Sequence, residues 1–376
     1  MKQEVKMDRE RMIQEFCRLV SIDSPSFGER EMADYLIGVF AENQIILEED
    51  KAGSCYGGNS GNLYGYWKGT CEGAPILFSM HMDTVEPAKG KKAIVQEDGK
   101  ITSGGTTVLG ADDLAAIAEV IEAVRSITEQ NIPHRDVEFL ISIAEEQHLR
   151  GSQVFDFSRI RAKESYVLDK TGQIGTAAVA APSLATFEAV VQGKAAHAGF
   201  APEDGVHAIL IASKAISRIP MGHVGTEMTV NIGSIQSEFA TNIVPPVCKV
   251  KGEVRSFSHE AVLNQLVDIR NIFEEEAGKL GGVVEYQEEI LFQAYVTPED
   301  AAVVRRYENV CHTLKIEPVL ERTFGGSDQN HLCANGIRGM VLASAMQQAH
   351  SSSEYTTVND MEKVTKIVMG LMQTSD

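Results

Sequence analysis

The sequence predicts an α/β fold: a mostly parallel sheet flanked by helices, interrupted by an inserted ferredoxin-like α+β domain. Three observations carry this. Four short apolar runs lack polar alternation, as strands buried on both faces do. Stretches of helical periodicity lie between several of them, which is the α/β order. Over residues 182–296 the order changes to β-α-β-β-α-β, the split βαβ arrangement.

In chain order, helical periodicity runs from Glu10 to Val20 and from Arg30 to Phe40. The turn Asp23-Ser24-Pro25-Ser26-Phe27-Gly28 separates the two and can cap the second. The strands are Pro75 to Met80, Val137 to Ile143, Ser165 to Leu168 and Gly339 to Ser344; helices run from Asp113 to Ile127 and from Ala301 to Leu314. Within the insert, strands Ala185–Gln192, Glu227–Ile235, Val247–Phe257 and Gly282–Leu291 alternate with helices Gly205–Arg218 and His259–Leu280 in the order given above. The outer domain therefore comprises residues 1–181 and 297–376.

A chain of 376 residues is long enough for two cores, and 43% apolar with 23% charged residues is ordinary for a globular protein. With 53 acidic against 34 basic residues, the net charge is −19. Such a surface excludes nucleic acid and anionic membrane as main partners and suits divalent cations. No run approaches the roughly 20 apolar residues of a membrane helix. The start Met1–Asp8 is mixed in charge, without a signal-type apolar segment. The six cysteines are scattered without a C-x-x-C pair, so reduced thiols and a cytoplasmic location are expected.

Each predicted parallel strand runs into groups that bind cations or move protons. The first leads into His81-Met82-Asp83, where i and i+2 share a face; His81 can ligate a metal while Asp83 accepts its other ring N–H. Asp112-Asp113 opens a helix, where a single aspartate would suffice as a cap. The second strand ends in Glu145-Glu146, two like charges that repel unless solvated or put to use. The third delivers Asp169 and the fourth leads to His350. Taken singly, each has a plain structural explanation. Together they sit at the carboxyl ends of the strands, where open α/β sheets bind ligands. Imidazole with carboxylate suits Zn²⁺ or a harder divalent ion, and the ligands are too many for one tetrahedral site. A two-metal hydrolytic centre, with ions roughly 3.5–4 Å apart, fits the count.

His81-x-Asp83-Thr84-Val85, Gly110-Ala111-Asp112-Asp113, Glu145-Glu146, Asp169 and His350-Ser351 resemble the motifs of the dinuclear zinc exopeptidases that include peptidase T, glutamate carboxypeptidase and the aminoacylases. The resemblance spans the whole chain, and Gly325-Gly326-Ser327-Asp328-Gln329-Asn330 looks most like the peptidase T, tripeptide aminopeptidase branch. It implies two Zn²⁺ per subunit, with Mn²⁺ or Co²⁺ as substitutes. Asp112 would bridge them, His81 and Asp169 would complete one site, Glu146 and His350 the other. Glu145 would be the general base. In the insert, Gly193-Lys194-Ala195-Ala196-His197-Ala198-Gly199 matches the segment carrying an oxyanion-stabilising histidine, and Asn242 and Arg255 match substrate-holding segments. A homodimer through the insert is implied, with His197 reaching the partner's metal centre. Two departures stand out: Leu114 replaces a frequent Lys, and His148 a usual Gly. His134, His148, His207, His223, His259, His312 and His331 match no motif and read as structural or solvated. The expected activity is cleavage of short peptides. The alternatives are an N-acyl amino acid amidohydrolase with the same metal centre, or a peptide binder without turnover.

Overall fold

The protein is seen here as a computed structural model that describes residues 6–373; Met1–Val5, part of the start examined above for a leader segment, lie outside them. The chain forms two compact units: Met1–Ala180 with Val296–Arg322 and Ser327–Asp376, and Ala181–Tyr295 with Thr323–Gly326.

Four parallel strands form the centre of the first unit, in the order Val137–Ser142, Ile76–His81, Glu164–Lys170, Arg338–Ala343. They are the four apolar runs of the sequence, and their packing explains the missing alternation. Phe78, Phe139, Tyr166 and Met340 face a core shared with helices Arg9–Val20, Arg30–Glu42, Ala111–Glu129, Ala302–Thr313 and Val358–Gln373. Leu77, Leu140, Val167 and Val341 face a second core with Phe155, Ile160 and Leu332. Each such buried side chain contributes on the order of 1.5–3 kcal/mol, so both faces hold the sheet in one register. Helix Ala111–Glu129 is buried on almost every side. Its alanines at 115, 116 and 118 let neighbours approach closely and favour the helix intrinsically.

The structure adds elements the sequence reading did not contain. Leu63–Trp67 and Leu47–Glu49 extend one side antiparallel. Thr176–Ala181 pairs antiparallel with Arg338–Ala343 and parallel with Val319–Arg322. Ile94–Val95, Lys100–Thr102 and Tyr355–Thr357 make a small separate sheet. These strands are short, interrupted by glycine or rich in alanine, and runs of two to six residues carry too little periodicity to stand out from loops. Helix Val358–Gln373 also went unread, although Met361, Val364, Val368 and Met372 carry helical spacing on its buried face.

The second unit is a five-stranded antiparallel sheet in the order Gly222–Val224, Met228–Gln236, Val247–Ser256, Ser183–Gln192, Val283–Phe292. Helices Ala208–Ile216 and His259–Leu280 cover one face, burying Ala185, Phe187, Ala189 and Val191 from alternate positions of a single strand. Ser258 caps the long helix through its hydroxyl, and Gly281 at φ 76° ends it. Glu188 on the opposite face pairs with Lys249 and Lys251. Only the short Gly222–Val224 strand was not expected.

Candidate active site

His81 is the last residue of its strand, in register with Ser142, and Asp169 is the last but one of the neighbouring strand. Two groups of ligand atoms form at these strand ends: His81 with Asp112 and Asp169, and Asp112 with Glu146 and His350. Within each group the atoms lie within 4.8 Å of one another. His81 Nε2 stands 3.1 Å from Asp112 Oδ1 and 4.0 Å from Asp169 Oδ1. His350 Nε2 stands 3.2 Å from Asp112 Oδ2 and 3.0 Å from Glu146 Oε1. Asp112 thus turns one oxygen to each cluster.

The imidazole ring of His81 is oriented from behind. Its Nδ1 lies 3.0 Å from the Asp83 carbonyl oxygen and 3.4 Å from Asp83 Oδ1, which leaves Nε2 facing the cluster. The Asp83 carboxylate in turn accepts from Ser26 Oγ at 2.6 Å and from the backbone N–H of Glu145 and Glu146 at 2.9 and 3.3 Å. One buried aspartate therefore sets both a histidine and the carboxylate pair.

The aspartate pair divides its work differently from a helix cap. Gly110, at φ 79°, is the capping position, and Asp112 and Asp113 have non-helical dihedrals, so the helix proper begins after them. Asp113 accepts the His81 backbone N–H through Oδ2 at 3.1 Å. Glu354, absent from the sequence reading, accepts from the N–H groups of Leu109, Gly110 and Asp112 at 2.8, 2.7 and 2.9 Å. Burial pushes its carboxyl up to about 7. Its setting among serines gave no sign of this role.

The chemistry of the clusters fits divalent cations. Each combines an imidazole nitrogen with carboxylate oxygens, a set suited to Zn²⁺ and its neighbours. Glu146 Oε1 is buried and forms no hydrogen bond, although His350 is near. Its one near partner is the His350 ring, a group that can itself ligate a cation. Burial and the charge of Asp169 push Glu145 well above the usual carboxylate range; burial and Asp112 do the same to Asp169. Against its own burial, Asp112 is held low by His350 and His81. Contacts with Asp112 and Glu146 raise His350 to about 10. So many anions in so small a volume call for concentrated positive charge. Glu145 is buried beside the clusters and belongs to neither.

The remaining candidates lie in the second unit. His197 and Asn242 are neighbours, since Ala198 N–H donates to the Asn242 carbonyl at 2.8 Å. His197 Nδ1 accepts from Gly199 and Phe200 N–H at 3.1 and 3.2 Å, so the neutral ring carries its proton on Nε2. Phe200 stacks on that ring at 4.2 Å. Arg255 donates to both oxygens of Glu253 and to the Phe324 carbonyl, partners with which a substrate carboxylate would have to compete. Among the unmatched histidines, His134 stacks on Trp67 at 3.7 Å, His207 caps helix Ala208–Ile216, and His259 meets Ser183 Oγ.

Fold and site together define a hydrolase class in which two cation positions share one carboxylate at the strand ends of an α/β sheet. Residues 62–186 match peptidase family M28, and residues 179–280 match the M20 peptidase dimerisation domain. The uncharacterized protein YqjE of Bacillus subtilis is 36% identical over 98% of this chain and 99% of its own. Among solved structures, aminopeptidase PepT from Bacillus cereus aligns at TM-score 0.91 and 36% identity, covering 98% of both chains. A tripeptidase from Staphylococcus aureus aligns at TM-score 0.94 and 32% identity, again over 98% of both. The chain belongs to the peptidase T branch of the M20 peptidase family, whose members are metal-dependent peptidases.

Proposed function

We propose that this protein is a dinuclear zinc exopeptidase that removes the N-terminal residue from short peptides, tripeptides foremost. The observation that carries the reading is the pair of His–carboxylate clusters sharing Asp112, with Glu145 buried beside them and outside both. His81, Asp112 and Asp169 would hold one cation; Asp112, Glu146 and His350 the other. Bound there, the cations would supply Lewis acidity, lowering the pKa of water towards 7 and polarising the scissile carbonyl. Glu145 has a carboxylate free to take the proton of the attacking water and hand it to the departing amine. Ligation would occupy that lone pair, which is why adjacent glutamates serve better than one.

His197 would donate its Nε2–H to the oxygen that gains charge at the scissile carbonyl, a contact worth about 10²–10³ in rate. Asn242, beside it, would hold the substrate backbone, and Arg255 its carboxylate. The M20 dimerisation domain supports a homodimer. So do large apolar side chains exposed in the second unit, among them Phe200 at 86% and Val283 at 65%. No helix among the described residues is long and apolar enough to cross a membrane. A cytoplasmic site of action agrees with six unpaired cysteines.

The test is an assay of metal-loaded protein with a tripeptide, a dipeptide and an N-acetyl amino acid, following release of free amine. The tripeptide should be cleaved fastest, and a chelator should abolish cleavage until Zn²⁺ is restored. Preference for the N-acetyl substrate would overturn the peptidase reading in favour of an acyl-amino-acid hydrolase, and activity of metal-free protein would refute the metal centre.

A further inference from the structure

The turn between Ser142 and Ser152 carries Glu145 and Glu146 along a strained path, braced from within by Leu149 N–H on the Glu145 carbonyl at 2.7 Å and Gly151 N–H on the Ile143 carbonyl at 3.1 Å. Ala144, His148 and Leu149 have φ of 46, 66 and 60°, the left-handed region that costs any residue other than glycine. Gly151 is pressed against the Ile143 carbonyl, where an added Cβ would meet its oxygen at 2.2 Å. Such a path persists only where its surroundings over-determine it.

Side chains from distant segments do so. Asn62 accepts from Ile143 N–H at 3.1 Å and donates to the Gly151 carbonyl at 2.9 Å. Glu29 accepts from Ala144 N–H at 3.0 Å. Asp328 adds a second tie across the turn, through side chains where Asn62 uses the backbone. Only 2% exposed, it accepts from Ser142 Oγ through Oδ2 and from Ser152 Oγ through Oδ1, both at 2.5 Å. Ser142 and Ser152 are the two ends of the turn. Ser152 Oγ also lies 2.8 Å from His331 Nδ1. Asp328 and His331 sit in Ser327-Asp328-Gln329-Asn330-His331, a motif that the reaction scheme above leaves without a role.

We propose that Asp328 is a positioning residue for catalysis: by tying Ser142 to Ser152 it locks the turn that presents Glu145 and Glu146 to the cation clusters. The proposal rests on the reading of Glu145 as general base. It requires both carboxylate oxygens, since each takes one hydroxyl. An amide at this position keeps one acceptor oxygen and turns an NH2 group on the other serine, which must stop donating and swing its hydroxyl round to accept, so the paired acceptance that fixes the two ends of the turn is lost.

The test uses metal-loaded, full-length protein and tripeptide hydrolysis. Asp328→Asn should lower kcat by about 10²-fold, the scale of loss from misplacing a catalytic group, while KM stays within about threefold. Ser142→Ala combined with Ser152→Ala, which leaves the carboxylate in place, should give the same split and carries the test if Asp328→Asn does not fold. In a Glu145→Gln background Asp328→Asn should cost no more than about twofold, because the base it positions is already gone. Amide hydrogen exchange across residues 143–151 should quicken in Asp328→Asn and stay unchanged elsewhere. Unchanged kcat, a full further loss on top of an impaired Glu145→Gln, or unaltered exchange across the turn would each overturn the proposal. Wild-type turnover by Glu145→Gln alone would refute the base assignment instead, leaving the exchange measurement to judge the clamp.

Discussion

Glu145 and Glu146 are adjacent, yet their surroundings separate them: Glu146 Oε1 faces His350 at 3.0 Å, whereas Glu145 belongs to neither ligand cluster. Glu145→Gln should therefore retain both cations by metal analysis while turnover falls roughly 10²–10⁴-fold. Glu146→Gln should lose cation from one cluster only. The reverse pattern would mean the two roles are exchanged. Two other glutamates, on helix Ala111–Glu129, make a similar contrast. Glu122 is paired with Arg11 and accepts from Ser126 Oγ. Glu119 is fully buried, and apart from a backbone contact with Ala345 its carboxylate has no hydrogen-bond partner. Burial pushes its carboxyl well above the 4.5 of an ordinary glutamate. Above that pH the unfolded chain releases a proton that the folded one keeps, so stability declines as pH rises towards the folded value. Glu119→Met should remove this dependence and stabilise the protein by about 1–3 kcal/mol at about pH 8, with a smaller gain at about pH 5. Denaturant titrations that show an equal gain at both pH values would contradict it.

At the scale of elements, the turn after strand Val137–Ser142 explains a departure noted in the sequence. His148 replaces a usual glycine, and its φ of 66° is where glycine carries no steric cost. His148→Gly should therefore keep turnover and leave stability unchanged or up to about 1 kcal/mol higher, whereas His148→Val should cost about 1–2 kcal/mol. Thermal melts of the two variants decide this; a stable valine variant would show that the turn bears no strain there. Leu114, the other departure, is fully buried in the core of the first unit, where a lysine would need a partner.

For the whole molecule, the test concerns the proposed dimer, since the clusters belong to one unit and His197 to the other. If His197 serves the partner subunit's site, two inactive variants can rescue one another. A hybrid dimer of Glu145→Gln with His197→Ala gathers both defects into one site and leaves the other intact. Refolding the two variants together should then recover part of the wild-type turnover, with metal content normal in each parent. A mixture shown to contain hybrids but as inactive as its parents would place the action of His197 within its own subunit.

The sequence by itself determined the α/β class, the four central strands and the order of elements in the insert, because long apolar runs and clear periodicities need burial whatever surrounds them. It also brought His81, Asp112, Glu146, Asp169 and His350 into view, since each is attached directly to a strand end or the helix or loop beside it. Tertiary structure alone decided what holds them. Asp83 grips the Glu145 and Glu146 amides across 62 and 63 residues, Glu354 the Asp112 loop across 242, and Asp328 the serines across 186 and 176. No periodicity or spacing encodes such contacts, because they arise only when the sheet brings distant segments together. The short edge strands escaped for the same reason: their pairing partner, more than their own residues, makes them strands.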